Sequence, residues 1–222
     1  VRAVSTGQNP LGEYKNVSLG DSNELHTANY GTEVSRGNLI GKTRIRIEAR
    51  TPAAGTTEQV IWNGAITYNF LTTADTLRIK AGGNANDSST GTGAREIIIY
   101  GLDSTGLEIS EILATNGASV SATTSQSFRR INRVEVTKTG TYATGAILIG
   151  SNIGAINVET SGGLLLVSMP ANVGRSAVGV YTIPVNKKGY FHRIRVTPEG
   201  SKSVTFKLWI REKLVHNNLS LI

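Results

Sequence analysis

Residues 95–113 read REIIIYGLDSTGLEISEIL, and no other stretch limits the fold as strongly. Ile97, Ile98 and Ile99 are β-branched, stiff at χ1 and suited to a pleated surface. Asp103-Ser104-Thr105-Gly106 is turn chemistry. An Asp side chain bonds its own backbone, and Gly takes positive φ without a Cβ clash. Residues 107–113 then return as a second strand. Downstream, 131–137 alternates, with Val134 and Val136 on one face and Arg133 and Glu135 on the other. That period of two predicts a half-buried strand whose exposed face is basic.

The loop at 82–93, just upstream, carries almost no apolar side chain and is expected on the surface. Asn84, Asn86 and Asp87 raise the idea of calcium. The spacing is not that of an EF-hand, because no Glu stands at the twelfth position and no helix pattern flanks the loop. The expectation is therefore a solvated turn.

The AGGNAND loop and the GLDSTGLEISE hairpin together resemble a family of tailed-bacteriophage virion proteins. The likeness returns at 177–211, AVGVYTIPVNKKGYFHRIRVTPEGSKSVTFKLWIRE, and so covers most of the chain from about residue 71 onward. The resemblance implies a β-rich head or particle component of the capsid decoration or cement type. It also implies assembly in the host cytoplasm and residence in the virion. The implied partners are the major capsid protein or other virion proteins, together with further copies of this chain as a trimer.

A chain of 222 residues can bury a sizeable core in one or two domains. Its 25 glycines and 39% hydrophobic content suit a turn-rich globular β protein. There is no Cys, which excludes disulfides, thiolate catalysis and thiolate metal sites. The net charge of +7 invites a nucleic-acid partner. Yet Arg44 and Arg46 flank Ile45, and Arg193 and Arg195 flank Ile194, an outward strand face that also keeps sheets apart. A basic surface toward an acidic protein partner is the stronger reading, and nucleic acid is disfavoured. No apolar run approaches the roughly 20 residues that a membrane helix needs. The chain opens on Val1 and stops in the apolar stretch 214–222, so it reads as trimmed at both ends.

Taken in order, 1–37 is polar and without persistent period, which predicts an extended N-terminal arm with one short strand near 15–19, either a clamp onto a neighbouring subunit or a flexible terminus. Residues 38–50 alternate, with Ile45 and Ile47 inward, and predict the first full strand. Short strands at 59–62 and 66–71 flank the Asn63-Gly64 turn signal. Strands follow at 76–80, 120–124, 146–149 and 155–159. Ser161-Gly162-Gly163 is the best interior break, dividing a β-sandwich region at 38–163 from further strands at 164–222. Those further strands fall at 164–169, 179–183, 190–197 and 203–212, with a turn at 184–189. The last alternates most clearly, with Val204, Phe206, Leu208 and Ile210 inward and Trp209 outward. The fold class is all-β: a β-sandwich or jelly-roll-like pair of antiparallel sheets with an extended N-terminal arm.

Chemistry is sparse. His26, His192 and His216 lie far apart and lack metal-site spacing, so no metal and no cofactor is expected. Glu108 and Glu111 fall on opposite faces of their strand, which does not build a glycosidase pair. With no nucleophile elbow and no phosphate loop, no catalytic residue is assigned and the chain reads as a non-enzyme. The contact residues expected are Tyr14, Tyr30, Arg129, Arg130 and Trp209. The alternative reading is a tail fibre, adaptor or host-glycan-binding module, with Trp62 or Trp209 stacking on sugar rings. An aromatic content of 6% does not favour a sugar groove.

Overall fold

A computed structural model describes residues 6–8, 14–16, 34, 36–37, 39–50, 61, 68–81, 84–140, 153–191, 193–197, 205–208 and 210. The chain divides into two compact units, Val1–Thr182 and Ile183–Ile222.

The first unit is all-β, and every strand pair in it is antiparallel. β1 (Thr6–Gln8) and β2 (Tyr14–Asn16) form a two-stranded hairpin. The N-terminal stretch expected to be an extended arm thus contains two short paired strands. β3 (Asp75–Ala81), β6 (Ser127–Phe128), β8 (Ile156–Thr160) and β9 (Leu165–Met169) make one sheet in the order β6-β3-β8-β9. β4 (Ala94–Leu102), β5 (Glu108–Ala114) and β7 (Arg130–Thr139) make the other, in the order β5-β4-β7. The apolar faces of the two sheets build one β-sandwich-like core: Leu77 and Ile79 from β3, Ile97 and Ile99 from β4, Val134 from β7, Val158 from β8, Val167 from β9. Phe128, fully buried, stands at the corner where the chain passes from the first sheet into the second.

The hairpin at 95–113 forms as its residues predict. Asp103 Oδ1 accepts from the Thr105 N–H at 2.8 Å, the Thr105 hydroxyl at 2.7 Å and the Leu107 N–H at 3.0 Å. These bonds to the charged form, with the Thr105 hydroxyl the largest contributor, hold the Asp103 carboxyl below its usual range.

In each sheet one stretch of ladder is continued by polar side chains that imitate a strand. Along β3, Ser121 gives its N–H to the Ile79 carbonyl and its hydroxyl accepts from the Ile79 N–H, both at 2.8 Å. Thr124 does the same at Leu77, at 2.7 and 2.8 Å. Along β7, Asn132 takes the Thr182 N–H at 2.8 Å and donates to the Thr182 carbonyl at 2.9 Å, while Ser176 bonds Val134 in both directions. Short polar side chains thus complete the ladder on β3 beyond the reach of β6 and along the β7 edge, which shields those two stretches from foreign strands.

Four expectations are corrected here. The loop at 82–93 is not simply solvated: Asp87 within it is fully buried. Its Oδ1 accepts from the Ala94 N–H at 2.8 Å and its Oδ2 from the Gly154 N–H at 2.9 Å. Gly154 has no room for a Cβ, which would come within 2.8 Å of Asp87 Oδ2 and 2.6 Å of the Asn84 Cβ.

The outward face of β7 is not uniformly basic either. Arg133 pairs with Glu135 at 3.4 Å and lies 4.4 Å over the ring of its cross-strand partner Tyr100, and Lys138 meets Glu96 at 3.0 Å. A carboxylate two residues along β7, an aromatic ring across the sheet and a cross-strand carboxylate absorb the charge.

The break expected at Ser161-Gly162-Gly163 is a tight turn joining β8 to β9: Thr160 N–H bonds the Leu164 carbonyl at 3.0 Å, and Gly163 takes φ 91°. Ser161 also donates its hydroxyl to Asp75 at 3.0 Å, so the turn is tied to β3. The division between the compact units falls in the chain after Thr182.

Finally, 39–50 forms no strand; its one ladder contact is the bridge of Ala49 to Val178. The described residues of 179–183, 190–197 and 203–212 form none. Nor do the described residues 68–71 of the strand expected at 66–71, while the strands expected at 59–62 and 146–149 fall largely or wholly outside the described residues.

Candidate interaction surface

Arg129 and Arg130, two expected contact residues, sit where β6 gives way to β7. The Arg129 N–H donates to the Leu102 carbonyl at 2.7 Å, which anchors the corner on β4. Both side chains are half-buried, so this is not a basic pair projecting into solvent. The Arg130 guanidinium donates to the Leu71 carbonyl at 2.6 Å and lies 5.4 Å over the Phe70 ring. Phe70 in turn meets Tyr68 edge-on, with ring centres 4.8 Å apart. Tyr68, Leu71, Arg129, Arg130 and Leu166 line a cavity of about 10 Å³, room for a single water and no larger ligand. Arg129 Nε is buried there without a hydrogen-bond partner.

The chemistry of this corner is structural. Burial pushes the Tyr68 phenol up to about 12, against the opposing pull of the Arg130 charge. The folded state holds the neutral phenol more tightly than the unfolded chain does. Tyr68 therefore contributes its stability in full below pH 10 and loses it as pH rises toward 12. Alkaline unfolding is expected within that window, at a cost on the order of 2–3 kcal/mol. Tyr68→Phe is expected to flatten the profile, as read by urea midpoints at a series of alkaline pH values.

Of the other expected contacts, Tyr14 lies in β2 opposite Gln8. Tyr30 and Trp209 lie outside the described residues, as do Trp62, His26, His192 and His216. Glu108 and Glu111 do fall on opposite faces: Glu108 is exposed, while Glu111 accepts from the Ser125 and Gln126 N–H groups at 2.7 and 3.0 Å. Burial works to raise the Glu111 carboxyl, but these donors win and hold it below its usual range. Among the described residues no group of three or more His, Asp or Glu is placed to hold a metal ion. No helix among them is long and apolar enough to cross a membrane.

The surface that stands out was read from sequence as interior. In the first unit, Ile45 and Ile47 are 49% and 52% exposed, interleaved with the exposed Arg44 and Arg46. The segment is held at its end: Glu48 pairs with Arg46 at 2.9 Å and with Arg175 at 2.8 Å, and the Glu48 carbonyl accepts from Gly179 N–H at 2.9 Å. The alternation is that of a strand, and among the described residues no strand pairs with it beyond the bridge of Ala49 to Val178. In the second unit, Tyr190 and Phe191 are 76% and 64% exposed, and Ile194, Val196, Phe206, Leu208 and Ile210 are exposed as well. The signal for both segments lay in the sequence as alternation, but alternation records which side chains favour burial and not what buries them.

Residues 22–165 match the profile of a family described as protein of unknown function (DUF3281). No curated protein and no solved structure is significantly similar to the chain.

Proposed function

We propose, for a chain that belongs to the DUF3281 family and inherits no function from it, a structural role in a tailed-bacteriophage particle. It binds the capsid surface as a decoration or cement protein and stabilises the shell through many repeated protein–protein contacts. The observation that carries this reading is the segment at 39–50, strand-patterned, basic and exposed, in a body whose β7 edge is closed by side chains. Exposed apolar side chains on an extended backbone are what strand addition to another protein uses. A single such contact is weak. Repeated over a particle and within a self-associated trimer, it becomes effectively permanent. The likeness of the AGGNAND and GLDSTGLEISE motifs to phage virion proteins supports the same reading.

The test is quantitative mass spectrometry of purified particles from the source phage. Copies on the order of hundreds per particle are expected for a shell component that occupies repeated symmetry positions. A dozen or fewer points instead to a tail fibre or adaptor, and absence from the particle ends the proposal. Ile45→Asp with Ile47→Asp is expected to strip the protein from the shell without altering its melting temperature, because both side chains are exposed.

A further inference from the structure

We infer that the outer edge of β5 is the receptor for residues 42–47 of a second copy, so that copies join head to tail by adding a strand to each other's sheet. The inference rests on the reading above for the premise that 39–50 binds protein, and it names what that segment binds.

The edge is the first observation. β5 pairs with β4 on one side, and no strand among the described residues pairs with it on the other. The Thr115 N–H turns inward to the Arg95 carbonyl of β4, while the Ser110 carbonyl takes Gln126 Nε2 from outside the sheet. Alternation then points the backbone groups of Ser110, Ile112 and Ala114 outward. Among the described residues, the ladder-imitating side chains seen on β3 and β7 have no counterpart at Ile112 or Ala114. The Ile112 side chain is 53% exposed, on the same face as its register partner Ile98. An edge with an apolar face and outward backbone groups is a template for an added strand.

Charge selects the occupant. Residues 96–128 hold Glu96, Asp103, Glu108 and Glu111 and no Lys, Arg or His. Residues 36–50 hold five Lys and Arg and a single acid, Glu48. The most acidic sheet edge and the basic strand-patterned segment therefore complement each other. β9, the outer strand of the other sheet, reads LLVSM and offers no charge to a basic strand. Pairing β5 with a second β5 would set Glu108 and Glu111 against their own kind. With Ile45 and Ile47 laid on the Ile112 face, they extend the apolar strip of Ile98 and Ile112. Lys42, Arg44 and Arg46 then fall on the Glu111 side.

Placement makes the contact intermolecular. Glu48 and Ala49 are tied to Arg175, Val178 and Gly179, and Gly174 and Ser176 bond β7. The segment is thus anchored on the β7 side of the sheet, and β5 is the far edge. Pairing within one copy would take the segment across the sheet, roughly 10 Å at 4.8 Å per strand, with the same few residues that must also form the strand. Pairing between copies needs no such crossing. It repeats one contact from copy to copy and closes as a ring or continues as a filament.

The experiment is sedimentation of the full chain up to about 1 mM, an effective concentration that a shared particle supplies. The parent is expected to associate. Ile45→Asp with Ile47→Asp removes the donor strand, and Glu108→Lys with Ile112→Lys removes the receptor edge. Each is expected to weaken association at least ~10-fold. All four side chains are exposed, so an unchanged melting temperature shows each variant folded. Ser110→Pro is a second receptor variant, since it takes an outward N–H from the edge and no bond from β4. An equimolar mixture of the two double variants is expected to form a dimer and nothing larger, because one intact donor and one intact receptor remain to meet. A parent that stays monomeric at about 1 mM overturns the inference. So does association that survives either double variant, which places the contact elsewhere or between two β5 edges. So does a mixture that stays monomeric. The particle count above is separate: a shell component whose copies do not touch passes that count and fails here, and a chain absent from virions can still assemble head to tail.

Discussion

Asp87→Ala is expected to cost about 3–5 kcal/mol, a large share of what holds a domain of this size together. The side chain is fully buried and its two oxygens serve two different elements. Oδ1 takes the N–H of Ala94, the first residue of β4, and Oδ2 takes the N–H of Gly154, just before β8. β4 and β8 belong to opposite sheets, so one carboxylate sets the spacing between the two layers at that end of the sandwich. Alanine removes both acceptors and leaves two backbone donors in a place that water does not readily fill. Asp87→Asn keeps one carbonyl oxygen but turns an amide N–H₂ toward one of the donors, so an intermediate loss is expected. In urea, with a slope of roughly 2 kcal/mol per molar, the alanine variant should unfold about 1.5–2.5 M earlier than the parent. Added calcium should not restore it, since both oxygens are occupied by backbone donors. A shift of the midpoint below about 0.5 M would return the loop at 82–93 to the status of a solvated turn.

That prediction also shows where sequence reasoning stops. Strands β3, β4, β5, β7, β8 and β9 were legible because each is a local statement: β-branched residues at a period of two, bounded by turn chemistry. The role of Asp87 was not legible, because its second partner lies 67 residues away. The same is true of Arg130, whose ring and carbonyl partners, Phe70 and Leu71, are brought to it by the fold. The serines and threonines of 114–126 read as edge-strand material. Ser121 and Thr124 do run along β3, but through hydroxyls that stand in for a ladder, which composition does not encode. At 39–50 and 193–197 the pattern was read correctly and the inference drawn from it was too strong. Alternation says that Ile45, Ile47, Ile194 and Val196 favour a covered face, and these residues are exposed. Among the described residues no strand covers them, and the misplaced strand at 39–50 is the pattern that carries the functional proposal.

Gly101→Ala tests the corner that holds the two sheets together, and it adds a single methyl group. Gly101 lies in β4 opposite Ile131 of β7, at a register shift between Tyr100 and Gly101. A Cβ there would run into the backbone carbonyl oxygen of Arg130 and stand 2.8 Å from the Phe128 ring. Neither neighbour can yield cheaply. Phe128 is fully buried in the core, and Arg130 is the first residue of β7, with its side chain committed to Phe70 and Leu71. Relief therefore requires β7 to move away from β4 where the register shift has already bent the pair. Overpacking of this kind costs ~1–3 kcal/mol when side chains can give way, and about 3 kcal/mol or more is expected where backbone must. Gly162→Ala is the control. That glycine sits in the β8–β9 turn with Thr160 Oγ1 as its nearest neighbour at 3.9 Å, an ordinary contact, so a change within ~0.5 kcal/mol is expected. Equal losses in the two variants, measured by thermal and urea unfolding, would mean that glycine matters here only through chain flexibility. A loss confined to Gly101→Ala places the stability of the body in the close approach of β4 and β7, a contact internal to the chain. Because that contact is made by residues of β4, β6 and β7, Ile45 and Ile47 can be altered and binding read while the body stays folded.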